Sequence, residues 1–186
     1  MSGVFVAIVG PSGAGKDTLI AHARAALTAG EGILFARRMV TRPTNAFEDH
    51  DTIAASEFEA AHAAGRFALS WRAHGLGYAL PEFVADEVDA GTVVVCNLSR
   101  AVVAEARSRF QRVVVVEVTA PRNVLAARLA RRGRESRAAI EARLSREALS
   151  ADVGADLVIV NDGNVNEAGG ALIGFLCRLA AMPEPA

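Results

Sequence analysis

The glycine-rich stretch Gly10-Pro11-Ser12-Gly13-Ala14-Gly15-Lys16-Asp17-Thr18 follows directly on the apolar run Val4–Val9. It fits the phosphate-cradling pattern GxxxxGK[ST] at every position except Asp17, where a carboxylate replaces the hydroxyl. In that pattern the glycines let backbone N–H groups converge on phosphate oxygens, the lysine reaches the β- and γ-phosphates, and the hydroxyl holds Mg²⁺. The loop needs a strand before it and a helix after it. Residues 17–29 contain no proline and are rich in alanine and leucine, which predicts that helix, and its N-terminus adds its own attraction for anions. The reading is a nucleoside triphosphate site with an altered metal position. Two roles fit Asp17: a metal ligand, or an acidic residue favoured by the dipole of a first helical turn.

Further apolar runs at 33–36, 92–96, 112–119 and 157–160 join the first, at 3–9, as predicted strands. Helical spacing fills the intervals at 81–89, 99–110, 121–131 and 138–149, with a last helix over 167–181. Ser99 sits at an N-cap position and Pro121 in a first turn. Strands alternating with helices imply right-handed crossovers and an α/β fold of three layers around a five-stranded, mostly parallel sheet. The interval 42–80 is too long for a plain connection, so it is expected to form a small insert with a helix at 56–64 and a strand at 67–71. The segment 131–137 is polar, basic and glycine-containing. Ligands in such folds bind at the carboxyl ends of the strands, so the insert should hold an acceptor and 131–137 should act as a lid.

At 186 residues the chain is expected to be one domain, spanning 1–182 with a frayed tail at 183–186. A net charge of −1 gives no sign of a nucleic-acid or anionic-membrane partner. The apolar opening lacks a basic leader and reads as a core strand, no run approaches membrane-spanning length, and Cys96 and Cys177 show no metal or disulfide spacing. A cytoplasmic protein is the expectation. The oligomeric state is left open.

Arginine matches phosphate geometry, and phosphoryl transfer between two anions depends mainly on positioning and charge neutralisation. Arg37, Arg38 and Arg42 follow the second predicted strand, and Arg128, Arg131, Arg132 and Arg134 surround the lid, with Arg143 and Arg146 beyond it. Any one of them could be a solvated surface residue. The clustering at two loops beside a phosphate loop raises Arg42 and the lid arginines above that reading.

The phosphate loop, Thr41-Arg42-Pro43, Phe67, Tyr78, the string from Arg128 to Arg134 and Val160-Asn161-Asp162 together resemble the guanylate kinase superfamily over nearly the whole chain. In guanylate kinases an acidic residue and a hydroxyl recognise guanine where this sequence has Leu69 and Leu80, which argues against guanine as acceptor. Phe67-Ala68-Leu69-Ser70-Trp71, His74-Gly75-Leu76, Tyr78, Asn97 and Ser99-Arg100-Ala101, with GKD in the loop, more closely resemble the ribose 1,5-bisphosphate phosphokinases of phosphonate degradation. That resemblance implies an ATP- and Mg²⁺-dependent transfer to a sugar bisphosphate, giving 5-phosphoribosyl 1-diphosphate. The acceptor phosphate is already an anion, so no general base is needed.

What the resemblance implies for residues follows by position. Gly13, Gly15, Lys16 and Thr18 hold the ATP phosphates, and Arg42 with Arg38 and Tyr78 holds acceptor phosphate. Arg131, Arg132 and Arg134 close over the transferring group, and Asn161 and Asp162 approach the adenine. Glu48 and His50 reach sugar hydroxyls, although a run such as Glu48-Asp49-His50-Asp51 also fits a solvated loop. Tyr78 also fits a packed aromatic. Many kinases with this loop carry a Mg²⁺-binding Asp where this chain has Asn97, so Asp17 is expected to supply the charge Asn97 lacks, the two forming the metal position. A nucleoside monophosphate kinase and a catalytically silent binding module are the alternatives. Lys16 and the arginines around Gly133 speak against the second.

Overall fold

Strand β1 (Val4–Val9) is buried along its whole length, and its side chains alternate between two cores. Val4, Val6 and Ile8 pack with Leu19, Leu125 and Leu172, while Phe5, Ala7 and Val9 pack with Val84, Val103 and Leu69. A strand covered on both faces belongs at the centre of a parallel sheet between helical layers. A computed structural model describes residues 3–27, 32–44, 50–73, 75–133, 136–148 and 152–181. The expected tail at 183–186 lies outside them.

The central sheet has the order β2 (Ile33–Phe35), β7 (Val93–Asn97), β1, β8 (Val113–Thr119) and β9 (Leu157–Val160). Every pairing in it is parallel. Helices α1 (Lys16–Ala26), α5 (Arg122–Arg131), α6 (Arg137–Ala148) and α7 (Val165–Ala181) feed the first core, and α3 (Phe83–Asp89) and α4 (Val103–Arg109) the second. Chain order and spatial order diverge on either side of β1, whose neighbours are β7 and β8. That divergence opens a crevice at its carboxyl end, where the glycine-rich loop emerges. The five strands expected from sequence are these five.

The insert is larger than expected. It carries a second sheet in the order β4 (His50–Thr52), β3 (Arg38–Val40), β6 (Leu76–Pro81) and β5 (Phe67–Ala73), covered by α2 (Ala55–Ala63). Its own small core holds Ile53, Phe58 and Ala79, with Met39 and Phe67 against them. Leu69, Trp71 and Leu80 turn instead into the second main core, tying the insert to the central sheet. The sequence reading found α2 and β5 but missed β3, β4 and β6. At three residues each, β3 and β4 are too short for periodicity to register, and β4 (His-Asp-Thr) is polar.

Two expected helix starts shift. Pro81 pairs with Phe67 in the β5–β6 ladder, so α3 begins only at Phe83. The segment after Ser99 opens as a 3₁₀ turn, Arg100–Val102, and Ser99 makes no side-chain cap bond. Among the described residues no helix is long and apolar enough to cross a membrane.

Gly77 is where α2 meets the insert sheet. A Cβ there would lie 2.7 Å from the Phe58 ring, which is only 1% exposed and stacked on Phe67 at 5.6 Å between centroids. Gly77→Ala is therefore expected to lower the free energy of unfolding by about 1–3 kcal/mol, the usual cost of overpacking, read from urea melts; an unchanged midpoint would contradict the tight fit.

Candidate active site

The loop's shape depends on glycine at both ends. Gly10 has φ 138°, and a Cβ on it would fall 1.9 Å from the carbonyl oxygen of Val118. Gly15 caps α1 at φ 90°, and a Cβ there would meet the Asn161 amide nitrogen at 2.4 Å. No side chain caps this helix, so its first-turn N–H groups remain open to an anion. Lys16 lies over the loop, donating from Nζ to the carbonyls of Gly10 at 2.8 Å and Pro11 at 3.0 Å.

The loop is braced from beneath. Asn161 Nδ2 donates to the Ala14 carbonyl at 2.7 Å, and Arg128 Nη1 donates to the carbonyls of Gly13 and Ala14, each at 3.3 Å. These bonds engage loop carbonyls on the inner side.

The loop forms one side of a cleft of about 520 Å³. Gly10, Pro11, Ser12, Gly13, Gly15, Lys16, Asp17 and Thr18 line it, together with Arg38, Trp71, Tyr78, Asn97, Ser99, Arg100, Arg132 and Arg143. Cations thus gather in one cleft of a chain whose net charge is −1. Such a cleft concentrates anions. Asp17 is bridged to Asn97 there, Asn97 Nδ2 donating to Asp17 Oδ1 at 2.6 Å. With its nitrogen turned to Asp17, the planar amide directs its carbonyl oxygen away from that contact. On the insert side Trp71 and Tyr78 stack, with centroids 5.4 Å apart and planes at 8°, and the Arg38 guanidinium lies 6.0 Å from the Tyr78 ring centre.

Several sequence candidates therefore meet in the cleft: the loop residues, Asp17 and Asn97, Arg38, Tyr78 and Arg132. Others sit elsewhere. Ala14 and Asn161 lie beneath the loop, and Asp162 is exposed on the segment after β9. Arg131 is exposed at the end of α5. Arg42 and His50 belong to the insert away from the cleft lining, where the Arg42 carbonyl accepts from Thr52 Oγ1 at 3.2 Å. His50 is fully buried, and burial, reinforced by the charges of Arg42 and Arg38, lowers its pKa below the ordinary histidine value, so it is neutral at pH 7. Glu48 and Arg134 lie outside the described residues. Cys96, beside Asn97, is buried, which pushes its thiol up to about 12 and keeps it protonated.

Sequence reasoning gave no role to Trp71, to Arg100 with its ion-pair partner Glu117, or to the bracing by Arg128. Arg128 carried a signal: three residues after Leu125 and next to Leu129, it falls on the apolar face of α5, where a charged residue needs a partner. Arg100 and Glu117 are brought together only by the neighbouring ends of chain in the fold, and no local spacing marks them.

The chain is 55% identical over 176 residues to a ribose 1,5-bisphosphate phosphokinase, PhnN, of Methylobacterium radiotolerans, covering 95% of this chain and 98% of that protein. It is 51% identical to a protein of the same name from Chelativorans sp., covering 98% and 88%, and 48% identical to one from Acidiphilium cryptum, covering 98% and 97%. Among solved structures, a guanylate kinase from Anaplasma phagocytophilum matches with a TM-score of 0.64 at 19% identity, covering 97% of this chain and 88% of that one. A sugar kinase from Janibacter sp. matches with a TM-score of 0.52 at 18% identity, covering 97% and 99%. At these identities the two structures establish the fold alone. No family model matches the chain.

Removing the brace leaves the Ala14 carbonyl short of a buried donor, which typically costs about 1–3 kcal/mol. Asn161→Leu is expected to weaken ATP binding about tenfold or more, measured by calorimetric titration, while far-ultraviolet circular dichroism stays unchanged. Unaltered affinity would show that the loop holds its shape without Asn161.

Proposed function

The chain belongs to the ribose 1,5-bisphosphate phosphokinase family, and from that premise we propose that it transfers the γ-phosphoryl group of ATP to the 1-phosphate of ribose 1,5-bisphosphate, giving 5-phosphoribosyl 1-diphosphate and ADP. The observation that carries this reading is the single cleft in which the phosphate loop and its lysine face the basic and aromatic insert wall of Arg38, Trp71 and Tyr78. A donor triphosphate and a phosphorylated acceptor fit side by side there.

The chemistry asks for alignment and charge balance rather than proton removal. The acceptor oxygen belongs to a phosphate that is already ionised at neutral pH. The loop N–H groups and the N-terminus of α1 hold the β- and γ-phosphates, and Lys16 exchanges its two carbonyl contacts for phosphate oxygens. Arg38, with the Tyr78 hydroxyl, orients the acceptor, and Arg132 and Arg143 offset the charge that spreads over the transferring group. Arg42 and His50 are not among the residues lining the cleft; Arg42 accepts from Thr52 Oγ1 through its carbonyl, and His50 pairs with Arg38 across the β3–β4 ladder.

The donor set beside the loop suits a hard cation: Asp17 and Asn97 line the cleft as neighbours joined by the bond from Asn97 Nδ2 to Asp17 Oδ1, and each carries a side-chain oxygen donor, with Thr18 next in sequence. Asp17 and Asn97 would hold Mg²⁺, which would supply positive charge to offset that of the phosphates. On this reading Asp17, 2.6 Å from Asn97 Nδ2, supplies from the loop the carboxylate that the strand end lacks.

Supplying the protein with ATP and Mg²⁺ and, in turn, ribose 1,5-bisphosphate, GMP and AMP should yield ADP with the sugar bisphosphate; turnover of GMP with none of the sugar bisphosphate would overturn the proposal. The metal position has a separate test. Asp17→Ser is expected to reduce the Mg²⁺ dependence of ATP affinity about tenfold, and adding Asn97→Asp should restore part of it, both read by titration without acceptor. A double variant no better than the single one would refute the exchange of carboxylate between the two positions.

A further inference from the structure

The insert wall is built in rungs. Trp71 and Tyr78 are partners across the antiparallel β5–β6 ladder, and the next pair on the same face, beyond Ser70 and Ala79, is Leu69 and Leu80. Trp71, the only tryptophan of the chain, is 9% exposed, yet it borders the cleft while its ring packs on Tyr78. Tyr78 in turn has the Arg38 guanidinium over its ring.

That wall suits some acceptors and not others. A nucleobase is held by stacking on a free aromatic face and by hydrogen bonds to its edge. The Tyr78 ring is already engaged by Trp71 and Arg38, and the residues behind it, Leu69 and Leu80, are 2% and 0% exposed and carry no polar side-chain atom. What the wall does offer is the Arg38 guanidinium, the Tyr78 hydroxyl and the Trp71 indole N–H. These are donors, matched to phosphate oxygens and sugar hydroxyls.

We propose that Trp71 is a specificity-determining residue: its indole fills the room a nucleobase would need and confines the acceptor to a phosphorylated sugar without an aromatic base. This rests on the proposed function and deepens it by naming the side chain that excludes nucleoside monophosphates. The exclusion is steric, because an occupied volume rejects a larger ligand whatever polar contacts that ligand might make elsewhere.

The test compares kcat/KM for ribose 1,5-bisphosphate, AMP and GMP, with ATP as donor, in wild type, Trp71→Phe and Trp71→Ala. Trp71→Ala is expected to shift the ratio of nucleoside monophosphate to sugar bisphosphate use upward by about tenfold or more, and Trp71→Phe, which keeps a ring in place, to shift it less. A folded Trp71→Ala protein with the wild-type ratio would overturn the proposal. Should that variant lose its circular dichroism signature, Trp71→Leu is judged by the same ratio. An independent readout uses wild type alone, because all tryptophan emission comes from this one side chain: saturating ribose 1,5-bisphosphate should change it, and AMP at the same concentration should not. Emission unmoved by a saturating acceptor would also overturn the proposal. Wild type that ignores ribose 1,5-bisphosphate altogether counts instead against the proposed function, so the two failures are distinguishable.

Discussion

The Ala14 carbonyl is the point on which the site depends. It accepts from Asn161 at 2.7 Å and from Arg128 at 3.3 Å, side chains 147 and 114 residues away in sequence. A glycine-rich loop alone has too much conformational freedom to hold its N–H groups on one target. Engaging its carbonyls from below restricts that freedom. Each brace also needs the fold to be complete. Asn161 follows β9, which reaches the loop only because β8 lies between β9 and β1, and Arg128 is delivered by α5, which leaves the carboxyl end of β8. Gly15 serves this contact as much as the turn, since any side chain there would occupy the place of the Asn161 amide.

Charge is distributed with the same economy. The chain is nearly neutral overall, so the basic cleft is a local arrangement rather than a property of the whole surface. Glu117 partners Arg100 in the half-buried interior beside the cleft, and Asp17 is bound to Asn97, while Lys16, Arg38, Arg132 and Arg143 also line the cleft. His50, buried between the charges of Arg38 and Arg42 and neutral, adds no further repulsion to a region already rich in positive charge. No acid or base poised near neutrality is required when nucleophile and leaving group are both phosphate oxygens.

Much of the central fold was legible because its signals are local. Five apolar runs marked the five parallel strands, and the spacing of Gly10, Gly13, Gly15 and Lys16 placed the loop between β1 and α1. The insert was read only in outline. Its sheet depends on strands of three residues whose partners lie far off in sequence, such as Val40 against Tyr78, and no pattern in either strand reveals the other. The site followed the same division. Asp17 and Asn97 could be paired by comparing each with the residue expected at its place, and the structure puts them in contact. Asn161 was expected to approach the adenine, whereas the structure sets its amide against the Ala14 carbonyl of the loop, because the direction of such a side chain depends on packing. Arg42 lies beyond the end of β3 and His50 on β4 at the edge of the insert sheet, so closeness to Arg38 in sequence or across the ladder did not carry them into the cleft lining.

The two halves of the cleft are held to different degrees, and that difference bears on how substrates are enclosed. The insert has its own small core around Phe58, but Leu69, Trp71 and Leu80 are sunk into the core beneath the central sheet. Swinging the insert wall would expose those side chains, at roughly 1.5–3 kcal/mol for each large one. The phosphate loop is equally fixed by Asn161 and Arg128. Next to the segment expected from sequence to act as a lid, Arg132 after α5 is exposed and Gly133 takes φ 63° with open space around it, while Arg143 on α6 is half-buried. If 131–137 closes as that lid, anions drawn into the cleft would supply the attraction that brings those arginines inward, and closure and the neutralisation of the transferring group would be the same event.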